Sequence, residues 1–167
     1  MEHPVSGPRL ILVWGLPGSG KTHRALLLAE RLGAVRFCPD EWMDALDIDV
    51  WDAEKRARIE ALQWKLAQEL LALGLTVIIE WGTWARAERD ALRMRARGLG
   101  AAVELHLLLA PVDLLLERIE RRGSENPPID RDALERWSET FEVPAPEEIA
   151  LFDAPLIDPD GEKTGQG

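Results

Sequence analysis

Eight consecutive residues near the amino terminus have the types and spacing of a phosphate-binding loop: Gly15-Leu16-Pro17-Gly18-Ser19-Gly20-Lys21-Thr22. Two of the glycines lie five positions apart, and a lysine and a threonine follow the second one. Glycines let backbone N–H groups converge on a phosphate at the positive end of a helix. We expect Lys21 to reach the β and γ phosphates of ATP as a catalytic residue, and Thr22 to ligate Mg²⁺. A glycine-rich turn with a solvated lysine is the alternative.

Acidic residues follow two apolar segments that read as strands. Asp40 comes just after the second predicted strand, and Glu80 comes directly after the third. Strand ends of this kind line the ligand crevice of an open parallel sheet. We expect Asp40 to bind the substrate and to act catalytically, as the base that accepts the proton of an acceptor hydroxyl. We expect Glu80 and Trp81 to bind substrate, with a magnesium-bound water as a second possibility at Glu80. A helix cap at Asp40 and a solvent-facing acid at Glu80 are the alternatives.

Two arginines precede a segment rich in glycine, serine, asparagine and proline at residues 123–129. Arg118 and Arg122 are four apart, so they share one face of a helix. We predict that the segment is a mobile lid. Arginines at its base would stack on the adenine and neutralise the transferring phosphate. The alternative is the favourable placement of cations at a helix C-terminus, which also accounts for Arg121.

Apolar runs and helical spacing place these residues on alternating strands and helices. Strands are predicted at residues 10–14, 35–38, 75–79 and 103–109, and helices at 21–32, 51–73, 83–97, 112–122 and 131–141, with a helical turn at 41–46. The longest helix shows apolar residues at steps of three and four, namely Ile59, Leu62, Leu66, Leu70 and Leu73. The alternation predicts an α/β fold in which helices cover both faces of a parallel sheet.

Residues 9–157 resemble the small P-loop kinases, on the loop at residues 15–22, Asp40 after the second strand, and Arg118 with Arg122 around a lid. This group includes polynucleotide 5′-hydroxyl kinases, chloramphenicol phosphotransferase and zeta-toxin kinases, with gluconate and adenylate kinases more distant. The resemblance implies a P-loop NTPase fold with a five-stranded parallel sheet in the order 2-3-1-4-5. It also implies that Asp40 is the base, that Lys21 and Arg122 stabilise the phosphate, and that Arg118 contacts the nucleotide.

Composition sets the expected organisation and surroundings of the chain. No apolar run approaches the ~18 residues of a membrane span, and the first residues lack the pattern of a signal peptide. The single cysteine, Cys38, agrees with a reducing compartment and reads best as a small buried residue. We therefore expect a soluble cytoplasmic protein with a flexible N-terminus (1–8), a P-loop kinase domain (9–157) and a disordered tail (158–167).

The expected acceptor is a hydroxyl of a small molecule such as an antibiotic, a sugar or a nucleoside. Polynucleotide kinases of this type carry an arginine three residues after the aspartate, and this chain has Met43 there. Nearby acids also disfavour a phosphate-bearing substrate, although a solvated acidic face would explain them too: Asp44, Asp47, Asp49, Asp52 and Glu54. A net charge of -10 makes long nucleic acid a poor partner.

Two alternative functions stay open at this point. The first is a nucleic-acid 5′-hydroxyl or nucleotide kinase that uses a patch of five arginines on one predicted helix, Arg86, Arg89, Arg93, Arg95 and Arg97. A solvated helix face accounts for the same arginines. The second is a regulatory module that binds and hydrolyses ATP without a metabolite acceptor.

Overall fold

A parallel β-sheet forms the centre of the molecule in the computed structural model, which describes residues 7–123 and 127–158. Within these ranges the sheet has four strands: β1 (Arg9–Trp14), β2 (Val35–Phe37), β3 (Thr76–Ile79) and β4 (Ala102–Leu107). The strand order is β2-β3-β1-β4, and every pairing is parallel. The predicted α/β class with a parallel sheet is confirmed.

Helices follow or connect these strands. The described residues form α1 (Lys21–Leu32), α2 (Pro39–Ala45), α3 (Ala53–Ala72), α4 (Arg86–Gly98), α5 (Val112–Arg122), α6 (Arg131–Thr140) and α7 (Pro146–Ile149). The bounds of α1 and α5 agree with the sequence prediction, because each helix ends at a glycine with positive φ, 61° at Gly33 and 60° at Gly123. The single turn of α7 was not predicted from the sequence.

The five-stranded sheet implied by the resemblance is wrong for the part of the chain that the structure describes. The segment after α7 reaches the edge of β4, where Asp153 N donates to Val103 O at 2.8 Å. The second hydrogen bond between the same two residues involves a side chain: Val103 N donates to Asp153 Oδ2 at 2.7 Å. Pro155 follows and has no N–H to donate, so a regular ladder does not extend along β4.

Both faces of the sheet are buried, and they carry different helices. Leu10 and Leu12 pack with residues of α3 and α4 on one face. Ile11 and Val13 pack with Ala25 and Leu28 of α1 on the other. Successive residues of a strand point to opposite faces, so a strand covered on both sides is apolar throughout.

Helix α3 buries fewer residues against the sheet than the spacing of its leucines predicts. Its buried residues are Ile59, Gln63, Ala67 and Leu71, at steps of four. Three of the leucines that revealed the helix, Leu62, Leu66 and Leu73, are exposed. The small Ala67 lets the helix approach the sheet, and Gln63 is the polar member of the buried face.

Several predicted segments lie partly beyond the described residues. The flexible N-terminus (1–8) lies outside them except for Gly7 and Pro8, and the tail (158–167) except for Asp158. Residues 124–126 of the predicted lid also lie outside, so the lid and the domain boundaries stay predictions. None of the helices in the ranges 7–123 and 127–158 is long and apolar enough to cross a membrane.

Candidate active site

The phosphate-binding loop joins the end of β1 to the start of α1. Gly18 and Gly20 have φ angles of 80° and 95°, which favour glycine. A Cβ at Gly15 would lie 2.7 Å from the carbonyl oxygen of Leu108, and a Cβ at Gly18 would lie 2.7 Å from that of Leu115. No side chain among the described residues caps the start of α1, so its amino end can receive an anion.

Lys21 lies over this loop and is partly buried. Its Nζ donates to the carbonyl oxygen of Gly15 at 2.7 Å. Burial lowers the pKa of Lys21 to about 8, and Arg122 acts in the same direction, whereas Glu80 and Asp40 oppose the shift. These three predicted site residues are therefore within electrostatic reach of the lysine.

Glu80 makes hydrogen bonds to helix α1, which follows the phosphate-binding loop, and to strand β2. The hydroxyl of Thr22 donates to Glu80 Oε1, and Arg36 of β2 donates to Glu80 Oε2 at 2.6 Å. Glu80 is buried, so the alternative of a solvent-facing acid does not hold. The buried thiol of Cys38 lies 3.8 Å from Oε1, and burial raises the thiol pKa to about 11, so it stays protonated. The hydroxyl and the carboxylate form a pair of hard oxygen ligands.

Asp40 carries an exposed carboxylate whose charge acts on Lys21. Helix α2 begins at Pro39 with Cys38 as its N-cap, so Asp40 is not the cap. Its Oδ1 accepts a hydrogen bond from Arg56 of α3, which also donates to the carbonyl oxygen of Val50 at 3.2 Å. Sequence analysis missed Arg56, because the connection between α2 and α3 sets its distance from Asp40.

The two predicted arginines lie on α5, which packs against the loop. Arg118 Nη1 donates to the carbonyl oxygen of Gly18 at 3.2 Å. Arg122 is exposed in the last turn, where its charge influences Lys21. Arg121 instead bonds Glu117 on the same helix. The structure thus places Arg118 and Arg122, and not Arg121, near the phosphate-binding loop.

Trp81 lines a cavity of about 260 Å³ between α3 and α4. Its Nε1 donates to Gln63 Oε1 at 2.9 Å, and its ring lies edge-to-face with Trp64 at a centroid distance of 6.5 Å. The other lining residues are Glu60, Trp64, Gly82, Thr83, Glu88, Ala91 and Leu92. Sequence analysis proposed Trp81 as a substrate-binding residue but found neither Glu60 nor Glu88, because these two residues come from different helices.

Aromatic side chains connect the end of β1 with α6 and with the connection between α2 and α3. Trp14 lies 4.1 Å from Phe141, and Trp84 lies 5.1 Å from Phe141 and 5.9 Å from Trp137, between ring centroids. Trp137 in turn stacks with Trp51 at 6.4 Å. Helix α6 is therefore held against the carboxyl end of the sheet.

The five arginines of α4 do not form a free basic patch. Arg89 is fully buried and makes two bonds to the carboxylate of Glu148, at 2.6 and 3.0 Å. The other four each contact an acidic or amide side chain: Arg86 and Arg93 meet Asp90, Arg97 meets Asp153, and Arg95 bonds Gln68.

Comparison with known proteins decides the family. A model of the AAA domain family AAA_33 matches residues 10–144. The chain belongs to this family. Its sequence-based identification as a small P-loop kinase is confirmed, because this AAA domain shares its fold with kinases. A search of curated proteins finds no significant match.

Solved structures with the same fold include a gluconokinase from Sinorhizobium meliloti 1021, which is 26% identical with a TM-score of 0.58 over 86% of this chain and 80% of that chain. Kti12 from Chaetomium thermophilum, in complex with ADP-AlF3, is 26% identical with a TM-score of 0.59 over 83% and 82%. The Pnkp1/Rnl/Hen1 RNA repair complex contains a chain that is 20% identical, with a TM-score of 0.67 over 81% of this chain and 44% of that one. At that identity it shows the fold alone.

Proposed function

We propose that this P-loop kinase transfers the γ-phosphate of ATP to a hydroxyl group of a small molecule, such as an antibiotic, a sugar or a nucleoside. The observation that carries the proposal is the arrangement of one face of α3. Arg56 contacts Asp40, while Glu60 and Trp64, at steps of four along the same helix, line the cavity. A candidate base and a candidate acceptor pocket thus lie side by side.

The nucleotide occupies the phosphate-binding loop in this proposal. Backbone N–H groups of the loop and the amino end of α1 hold the phosphates, and Lys21 and Arg122 neutralise the transferring group. Arg118, which bonds the loop at Gly18, contacts the nucleotide. Thr22 and Glu80 have the oxygen donors that suit Mg²⁺, which would neutralise charge between the phosphates.

Asp40 accepts the proton of the acceptor hydroxyl as its oxygen attacks the γ-phosphorus and the bond to ADP breaks. The bond from Arg56 holds the carboxylate in one orientation. The charge of Asp40 acts on Lys21, which supports a base and a phosphate-binding lysine at one reaction space.

The size of the cavity favours a small acceptor. Its volume of about 260 Å³ lies just below the range of ligand pockets, which span ~300–1,000 Å³. Tryptophan rings with carboxylates suit a polar ring compound, whose apolar faces pack on indole while its hydroxyls bond the acids. The solved structure of a gluconokinase has the same fold, and its name denotes a kinase of a small molecule, which supports the same class.

A nucleic-acid or nucleotide kinase is the second candidate, and one observation favours it. Polynucleotide kinases of this type have an arginine at the position of Met43. In this chain Arg56 places a guanidinium beside Asp40 instead, and it could bind a substrate phosphate there. The paired arginines of α4 and the net charge of -10 argue against long nucleic acid.

Transfer of labelled phosphate from [γ-³²P]ATP to defined acceptors tests the proposal. The panel contains antibiotics, sugars, nucleosides, nucleotides and 5′-hydroxyl oligonucleotides, with Lys21→Ala as the inactive control. Labelled small-molecule product supports the proposal. Label that appears only on oligonucleotides or nucleotides supports the second candidate instead.

A further inference from the structure

Two carboxylates of the cavity lack a full set of partners. Glu60 of α3 is half-buried, and its carboxylate makes no hydrogen bond or ion pair with the residues that the structure describes. Glu88 of α4 uses Oε2 to accept from the backbone N–H of Ala85 at 3.1 Å, which leaves Oε1 for a ligand. Neither lysine nor arginine occurs among the described lining residues.

The charge on Glu60 is costly in this position. Burial raises the pKa of Glu60, and the nearby charges of Glu88 and Asp40 raise it further, while Arg56 opposes the shift. Arg56 is itself engaged by Asp40 and by the carbonyl oxygen of Val50. A cation placed between the two glutamates would stabilise both carboxylates.

The aromatic walls suit the same kind of ligand. Trp64 and Trp81 meet edge-to-face, and the bond from Trp81 to Gln63 holds the second ring in place. The face of an indole ring attracts an ammonium group within ~6 Å of its centroid. Carboxylates and indoles line the same cavity and both attract cations, whereas the carboxylates would repel a phosphate.

We propose that this cavity binds an ammonium group of the acceptor, which makes the acceptor an amino alcohol of the aminosugar or aminocyclitol class. The assignment rests on the proposed function and narrows its substrate. Glu60 lies one helical turn beyond Arg56, which contacts Asp40. The charge of Asp40 also acts on Glu60, so one acceptor can place its ammonium group at Glu60 and its reacting hydroxyl toward Asp40.

Matched acceptors test the inference. Each amino alcohol of a panel that includes glucosamine is compared with its N-acetylated form, which keeps the hydroxyls and loses the charge. We expect kcat/KM to be at least about tenfold higher for the amine, the scale of a desolvated cation–π contact with its carboxylate. Tryptophan fluorescence, read during titration with glucosamine and with N-acetylglucosamine, should show the same order of affinity without turnover.

Three variants locate the effect. Glu60→Gln and Glu88→Gln should each raise KM for the amine about tenfold while kcat and ADP affinity change by less than about twofold. Glu69→Gln removes the same charge from an exposed position of α3 outside the cavity and should change none of these values. Melting temperatures of the three variants verify that each one folds.

The outcomes separate the inference from the function on which it rests. If neutral and N-acetylated compounds are phosphorylated as well as amines, or if Glu60→Gln leaves KM unchanged, the ammonium site is overturned and the small-molecule kinase stands. If no small hydroxyl compound accepts phosphate, both are overturned.

Discussion

Arg56 of α3 donates a hydrogen bond to the carboxylate of Asp40, which lies 16 residues earlier at the start of α2. The same guanidinium holds the carbonyl oxygen of Val50. One side chain therefore fixes the connection between the two helices and orients the proposed base.

Asp40→Asn should separate chemistry from nucleotide binding. The substitution keeps the shape of the side chain and removes the base, so turnover should fall by ~10² or more while ADP affinity changes by less than about tenfold. Steady-state kinetics and ADP titration measure the two effects. Asp44→Asn, an exposed change on the same helix, is the control. Near-normal turnover in Asp40→Asn would make Glu80 the leading candidate for the base.

Arg56→Ala should reduce turnover through loss of orientation at Asp40. We expect kcat to fall by about tenfold or more, with ADP affinity unchanged, and Arg56→Lys to recover part of the loss because it keeps the charge. Arg58→Ala removes an arginine of the same helix whose ion pair with Glu54 is exposed, and it should have no effect. Equal behaviour of Arg56→Ala and Arg58→Ala would exclude a positioning role for Arg56.

Glu80→Gln should weaken the metal-dependent part of nucleotide binding. Glu80 and Glu41 both bond Arg36, but only Glu80 also accepts from Thr22. We expect the Mg²⁺ concentration for half-maximal activity to rise about tenfold in Glu80→Gln and to stay unchanged in Glu41→Gln. A similar rise in both variants would trace the effect to Arg36 rather than to the metal.

Nucleotide affinity should depend on pH through Lys21. The folded-state pKa of about 8 lies below the ordinary value of 10.5, because burial disfavours the charged form. The lysine is protonated below pH 8, so ADP affinity should fall as pH rises through about 8 and should be flat there in Lys21→Ala. The unfolded chain keeps this proton up to about pH 10.5, so the contribution of Lys21 to stability rises with pH between the two values. Binding titrations across this range check the prediction, and the same downward limb in Lys21→Ala would contradict it.

Local patterns predicted the parts of the fold that depend on neighbouring residues. The apolar run of β1 indicated burial on both faces, and Gly33 and Gly123 marked the ends of α1 and α5. The fifth strand came from the resemblance alone. The side-chain bond of Asp153 and the missing N–H of Pro155 prevent a regular strand on β4 in the described chain.

The loop at residues 15–22 was predictable because its chemistry is local, and Asp40, Glu80 and Arg118 were proposed from their positions at strand and helix ends. Two other features could not be predicted: the contact of Arg56 with Asp40, and the position of Glu60 and Glu88 in one cavity. Each depends on how two helices pack. No spacing in the sequence encodes such distances.

Transfer of the γ-phosphate to a small hydroxyl compound is the central claim, and one assay tests it most directly. The wild-type chain and Lys21→Ala are incubated with [γ-³²P]ATP, Mg²⁺ and the acceptor panel, and labelled products are separated from free phosphate. We expect a labelled small-molecule product whose rate falls more than about a hundredfold in Lys21→Ala, while the melting temperature of the variant is equal or higher. Release of free phosphate alone, or transfer that survives in a folded Lys21→Ala variant, would contradict the claim.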